Sequence, residues 1–299
     1  MNRSQFFESY KSETLGLVPL LKPLACKNSP RYIVSLTSYG KRLNNTAPYA
    51  IITLLNQNVK PDKLILWIAH EDEENIPQIM SELIPKGLEI RFCDDIKSYK
   101  KLIFSLNAFP DDYIITADDD VYYPSDWFEK LFIEHKKNPK KIICHRAHGI
   151  NIDSNHNPLP YLQWYSCINP RDYFSATSRK MQPEILFPTG VGGILYPPNC
   201  FYKDVTNKDL FTRLAPSADD IWFWAMAVMN KDYFGNESPY IVLEQGFSNY
   251  LNEIDPEQQS NGNALWNFNF VGGNDKQLKS VIEHYPAIKE YLNKILYES

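Results

Sequence analysis

The chain has 299 residues, 43% of them hydrophobic and 22% charged, a globular composition rather than that of a disordered segment. A formal charge of -5 argues against broad electrostatic binding to nucleic acid, which needs a basic face to displace counterions. Cys26, Cys93, Cys144, Cys167 and Cys200 are odd in number and show no Cys-x-x-Cys spacing, so reduced thiols are expected.

The first ten residues hold no apolar run long enough for a signal peptide, and no later stretch approaches a membrane span. The expectation is a cytoplasmic chain, at most peripheral at the inner face of a membrane. One catalytic unit is expected rather than two independent domains. Residues 1–29, interrupted by Pro19 and Pro23, read as an N-terminal arm. Tyr32 to Thr37 is short, β-branched and apolar, a strand, and Pro48 opens a helical run through Ile51, Ile52, Leu54 and Leu55. Lys63 to Ala69 repeats the strand signal, Ile76 to Ile84 has helical spacing, and Leu88 to Cys93 is a third strand. Tyr99 to Leu106 then reads as helix, Tyr113 to Ala117 as a fourth strand, and Ser125 to Lys137 as a helix stacking Trp127, Phe128, Leu131 and Phe132.

Apolar strands alternating with helices predict an α/β fold, a mostly parallel, Rossmann-like sheet flanked by helices, with ligands at the carboxyl ends of the strands. The nucleotide-binding half is placed at residues 30–150. Beyond it, prolines, asparagines and aromatics become dense, and order returns only at Gly190 to Tyr196, Ala218 to Met229 and Tyr240 to Leu243. Residues 151–250 are read as the acceptor-shaping half and 251–299 as a helical tail, with an amphipathic helix over Asp275 to Leu296 interrupted at Pro286.

Three carboxylates, Asp118, Asp119 and Asp120, fall where the fourth strand ends. Packed carboxylates raise one another's pKa unless a cation is present, and hard oxygen donors suit Mg²⁺ or Mn²⁺ bridging to a diphosphate. The alternative is a solvated acidic turn placed on the next helix's dipole. In the context of a fourth β position, this segment resembles the Asp-x-Asp motif of GT-A glycosyltransferases. Ile33 to Arg42 likewise resembles their first strand and nucleotide-binding loop. The layout over about Tyr32 to Leu243 is similar to bacterial glycosyltransferases of the family-two-like type. The resemblance implies that Asp120 binds the metal, and that Asp118 and Asp119 share ribose contacts and the coordination shell.

Thr37, Ser38, Tyr39 and Arg42 follow the first strand, where they could hold a uracil-like base and a phosphate or merely cap a loop. Asp95 could serve the base or ribose and Lys100 or Lys101 the diphosphate, with a solvated turn as the alternative. The resembling enzymes also carry a basic residue on this helix. Ser217 and Asp220 have the spacing of a capping box. The resemblance instead makes Asp220 the general base of an inverting enzyme, with Asp219 as the fallback. Pro188 to Gly193 lacks phosphate-loop spacing, and Gly192 and Gly193 are read as a donor-sugar or acceptor wall or as a strand entry. Trp222, with Trp164, Tyr165, Trp224 and Trp266, could stack on sugars or fill core. Strand alternation sets His145 and His148 on opposite faces, against a zinc site, and His156 and His284 lack spaced partners.

The expected activity is metal-dependent transfer, with Mn²⁺ or Mg²⁺, of a sugar from a nucleotide-diphosphate donor, a UDP-sugar, to a glycan or lipid-linked glycan hydroxyl in capsule or lipopolysaccharide synthesis. Its rivals are a sugar-1-phosphate nucleotidyltransferase, which wants a more glycine-rich loop than Ser38 to Arg42, and a catalytically silent glycan-binding or scaffold protein.

Overall fold

The structure is a computed structural model and describes residues 29–155, 157–166, 185–235, 237–243 and 272–294. The N-terminal arm, Cys26, Cys167, His156 and Trp266 lie outside them. Two compact units divide at Ile133 and Glu134, within one helix, whereas the sequence reading divides its halves at residue 150.

In the first unit the chain runs β1 (Tyr32–Ser38), α1 (Arg42–Asn45), α2 (Ala47–Leu55), β2 (Lys63–Ala69), α3 (Gln78–Leu83), β3 (Leu88–Cys93), α4 (Lys100–Ala108), β4 (Tyr113–Thr116) and the start of α5 (Trp127–Lys137). The strands are all parallel in the order β3-β2-β1-β4. β1 is therefore flanked on both sides, and Ile33, Val34 and Leu36 are all buried, as a strand covered on both faces requires. The chain adds strands to one side of β1 and then returns to the other, so the gap between the carboxyl ends of β1 and β4 is the topological switch point at which such sheets bind ligands.

Carboxylates pin the opposite end of this sheet. Asp112, just ahead of β4, accepts the Arg31 amide at 2.7 Å and its guanidinium at 2.6 and 3.1 Å. Asp62, just ahead of β2, accepts the Tyr32 amide at 2.8 Å. Helix α4 is tied to the sheet by a buried polar chain. Ser35 Oγ meets Ser105 Oγ at 2.7 Å and donates to the Lys101 carbonyl, while Trp67 Nε1 donates to Ser105 Oγ at 2.8 Å. Such fully satisfied networks fix register, here that of the two lysines opening α4.

The second unit holds β5 (Ile142–Cys144), β6 (Ala147–Gly149), β7 (Leu186–Pro188), β8 (Ile194–Tyr196), α6 (Lys208–Leu214), α7 (Asp219–Val228), α8 (Lys231–Phe234), β9 (Tyr240–Val242), α9 (Asn274–His284) and α10 (Ala287–Lys294). β5 pairs antiparallel with β8 and parallel with β9, and β6 pairs antiparallel with β7. The anticipated break at Pro286 falls between α9 and α10. Helix α7 is nearly all buried, from Ile221 to Val228.

Cys93, Cys144 and Cys200 are buried thiols, and burial pushes Cys93 up to about 12. Among the described residues no helix is long and apolar enough to cross a membrane.

His135 and His148 are buried, and desolvation, helped by Lys136 and Arg146 respectively, lowers each imidazole to about 4. An unfolded histidine titrates near 6.5, so between that value and about 4 the unfolded chain binds more protons and stability falls as pH falls. Each imidazole contributes a slope of about 1.4 kcal/mol per pH unit in that window. The expected outcome is a melting temperature that declines from pH 7 to pH 4.5, with a shallower decline in His148→Gln; parallel curves for the two proteins would refute the assignment.

Candidate active site

Loops after β1 and β4 meet at the switch point of the first unit. Gly40, at φ +50, takes the left-handed conformation that turns the chain from β1 into α1, and its amide donates to Asp72 Oδ1 at 3.2 Å. The turn delivers Ser38 and Arg42 to the acidic cluster. Ser38 Oγ donates to Asp119 Oδ2 at 2.6 Å, and Arg42 Nη1 donates to Asp119 Oδ1 at 2.6 Å. The other guanidinium nitrogen, Nη2, pairs with Asp120 Oδ2 at 2.9 Å. From α4, Lys101 Nζ reaches Asp118 Oδ1 at 2.7 Å. Tyr123, fully buried, accepts the Asp118 amide at 2.7 Å and so fixes the turn that carries the three acids.

The three aspartates are thereby differentiated. Both oxygens of Asp119 are engaged and its side chain is 6% exposed, against 24% for Asp118 and 14% for Asp120. Asp119 ties the β1 loop to the β4 loop, while Asp118 and Asp120 form the accessible edge. Burial works against the charge on Arg42, but Asp119 and Asp120 outweigh it and the guanidinium pKa is raised. Tyr39, half exposed, lies under Arg42 with 5.6 Å from guanidinium carbon to ring centroid. A flat ring beside a fixed cation is a surface on which an aromatic base can stack.

Other predicted residues are placed differently. Thr37 Oγ1 donates to the Trp67 carbonyl at 2.8 Å and is spent on strand β2. Lys100, 2% exposed, is paired with Asp95. Burial opposes charge on Asp95, but the hydrogen bond from Lys100 and the Lys97 amide prevail and hold its carboxyl below the usual range. Lys101, not Lys100, is the lysine that joins the acidic cluster.

In the second unit, the two motifs singled out from the sequence come together. The Gly190 amide is shared between Asp220 Oδ1 at 3.1 Å and Oδ2 at 3.2 Å. Gly190 to Gly192 forms a single 3-10 turn ending at Gly193, whose φ of +88 favours glycine. Asp219 is nearly buried, and Asp220 is more open. The capping box is corrected. The residue at the N-cap of α7 is Ala218 rather than Ser217, and Ser217 is turned to Gln277, whose Oε1 accepts the Ser217 amide at 2.9 Å. Trp222 is also corrected as a sugar-stacking wall. It is 0% exposed, its indole donates to the Val205 carbonyl at 2.9 Å, and it packs on Phe211 and Tyr285. The spacing of α7 could not separate it from exposed tryptophans because the helix is apolar all round.

A metal can be weighed against these donors. Among the described residues no group of three His, Cys, Asp or Glu side chains is arranged to hold an ion. Two carboxylates, Asp118 and Asp120, stand at the accessible edge, and Mg²⁺ in phosphate-handling sites is commonly held by one or two carboxylates plus substrate oxygens and water. The donor chemistry fits a cation shared with a diphosphate, with Asp118 and Asp120 as its protein ligands and Asp119 committed elsewhere. Sequence reasoning missed Tyr123, the Ser35–Ser105–Trp67 chain and the Gly190 amide. Only the last had a signal, the glycine run itself.

Residues 39–195 match the family described as Glycosyl transferase family 2. No curated protein shows significant similarity to the chain. Among solved structures, that of CMP:2-keto-3-deoxy-manno-octonic acid synthetase complexed with CTP is similar at 10% identity and a TM-score of 0.39, over 68% of this chain and 87% of that one.

The unequal burial of the aspartates predicts unequal costs. Asp119→Ala takes one of two carboxylate partners from a largely buried guanidinium and leaves Ser38 without its acceptor, and should cost about 3 kcal/mol in urea unfolding. Asp120→Ala, the more open half of the bridge, leaves the guanidinium its Asp119 partner and should cost under about 1 kcal/mol. Equal losses would contradict the division between a structural and an accessible carboxylate.

Proposed function

The chain belongs to the glycosyl transferase family 2, and from that footing we propose that it moves a sugar from a nucleotide-diphosphate donor, a UDP-sugar, to a hydroxyl of a glycan or lipid-linked glycan, with inversion at the anomeric carbon. The observation that carries the reading is the convergence of Ser38, Arg42 and Lys101 on Asp118, Asp119 and Asp120 at the switch point of a parallel sheet.

Tyr39 offers a face to the base, and Arg42 and Lys101 offer fixed positive charge to the diphosphate. A divalent cation, Mn²⁺ or Mg²⁺, held by Asp118 and Asp120 would add Lewis-acid neutralisation of the leaving diphosphate. Asp220 is the proposed base. Its carboxylate is oriented by the Gly190 amide, which is shared between its two oxygens. The acceptor hydroxyl gives its proton to Asp220 as its oxygen bonds to the anomeric carbon, and the bond from that carbon to the diphosphate oxygen breaks, releasing the nucleoside diphosphate. Gly192 and Gly193 are proposed to line the sugar, since backbone without side chains permits close approach. The role in capsule or lipopolysaccharide synthesis, with peripheral membrane association, is proposed with the activity.

A screen of nucleotide sugars for metal-dependent release of nucleoside diphosphate tests the class. Asp220→Asn should lower turnover by about 10²–10⁴-fold with UDP affinity unchanged. Asp120→Ala should abolish the metal-dependent part of UDP binding in calorimetry. Undiminished turnover in the first, or unchanged affinity in the second, would remove the corresponding role.

A further inference from the structure

Arg42 bridges two neighbouring acids of the cluster. One guanidinium spans two adjacent carboxylates, taking Asp119 at 2.6 Å with one nitrogen and Asp120 at 2.9 Å with the other. Asp119 is locked a second time by Ser38, so its half of the bridge is permanent structure. Asp120, 14% exposed against 6% for Asp119, is the more accessible half. It stands at the accessible edge with Asp118, while the Arg42 side chain is itself 21% exposed and rests against the half-open Tyr39 ring.

We propose that Arg42 is a resident counter-cation that competes with a divalent ion for Asp120, so that the ion binds only together with an anion able to draw the guanidinium toward itself. This rests on the donor reading above and adds a mechanism of ordered assembly to it. Three adjacent carboxylates without compensation repel one another, and Arg42 with Lys101 removes most of that repulsion before any ligand arrives. A divalent ion entering alone meets Asp118 and Asp120 already paired, with Lys101 and Arg42, and with Asp119 held by Ser38 and Arg42. A nucleoside diphosphate changes both terms. Its oxygens complete the ion's shell, and its charge gives the planar, fork-shaped guanidinium a bidentate partner in place of Asp120. The coupling is reciprocal, so the ion strengthens nucleotide binding by the factor by which nucleotide strengthens ion binding.

The test is Mn²⁺ binding followed by loss of the free-ion electron paramagnetic resonance signal, without turnover, for the full chain and Arg42→Gln, each with and without UDP. The wild-type protein should bind Mn²⁺ weakly alone and at least about tenfold more tightly with saturating UDP, the factor one charge-assisted contact is worth. Arg42→Gln should bind Mn²⁺ alone about tenfold more tightly than wild type and should gain less from UDP. If wild type shows the UDP-dependent gain but Arg42→Gln is no tighter alone, the competition is refuted and the donor reading survives. If UDP binds but Mn²⁺ binds neither protein under any condition, the metal falls and this inference with it. Circular dichroism checks the fold. Should Arg42→Gln fail to fold, Arg42→Lys carries the test with the same sign, because a single ammonium cannot span both carboxylates in the guanidinium's manner.

Discussion

The bond between Arg42 and Asp119 is the constraint on which the rest of the first unit's carboxyl edge depends. Without it, three successive carboxylates at the end of β4 would push apart, and the loop after β1 would have no fixed place. With it, the loop and the acidic turn become one object. The pair joins residues 77 apart in sequence, and Ser38 adds a second bond to the same carboxylate, so Asp119 is fully satisfied in a nearly dry setting. A charge buried in this way is acceptable only because both its oxygens are used, and the cost of its desolvation is offset locally.

This tie has a counterpart at the other end of the sheet. Asp112 grips Arg31 and Asp62 grips the Tyr32 amide, so β1 is fastened to β4 and β2 where it begins and to the turn after β4 where it ends. Apolar burial along Ile33, Val34 and Leu36 supplies adhesion without direction, whereas the paired ends set register and depth. The Ser35–Ser105–Trp67 chain then fixes α4 on the same strand. That is what sends Lys101 to Asp118 and leaves Lys100 paired with Asp95 at the helix entrance. Precision at the switch point is thus inherited from the central strand.

The four strands and the longer helices of the first unit were legible in the sequence as short apolar runs alternating with helical spacing, whereas the four-residue α1 was not. Lys63 to Ala69 and Leu88 to Cys93 are observed with the predicted boundaries, and the helix read from Tyr99 begins at Lys100. Placement of Ser38, Arg42 and the acids at one edge followed from their positions just after apolar strands, at the carboxyl ends where such sheets gather ligands. Pairings were not legible. Nothing in the text distinguishes Lys100 from Lys101 or Asp119 from its neighbours, since the difference arises from α4 rotation and from Ser38, residues far away in sequence. Trp222 failed for another reason: a helix buried on every side has no hydrophobic stripe, so the pattern cannot say which aromatic faces a cavity.

Asp220 shows how a local rule and a functional reading can exclude one another. A carboxylate committed to a capping box is tied to its own helix and has little freedom to meet a substrate hydroxyl. Here Ser217 is bonded to Gln277, and the N-cap position of the helix falls on Ala218, one residue later than the capping box requires. The side chain of Asp220 shares one amide, that of Gly190, between its two oxygens, an arrangement that orients the carboxylate. The base role proposed for Asp220 asks for such aiming, because a carboxylate can take a proton only from a hydroxyl within hydrogen-bond reach.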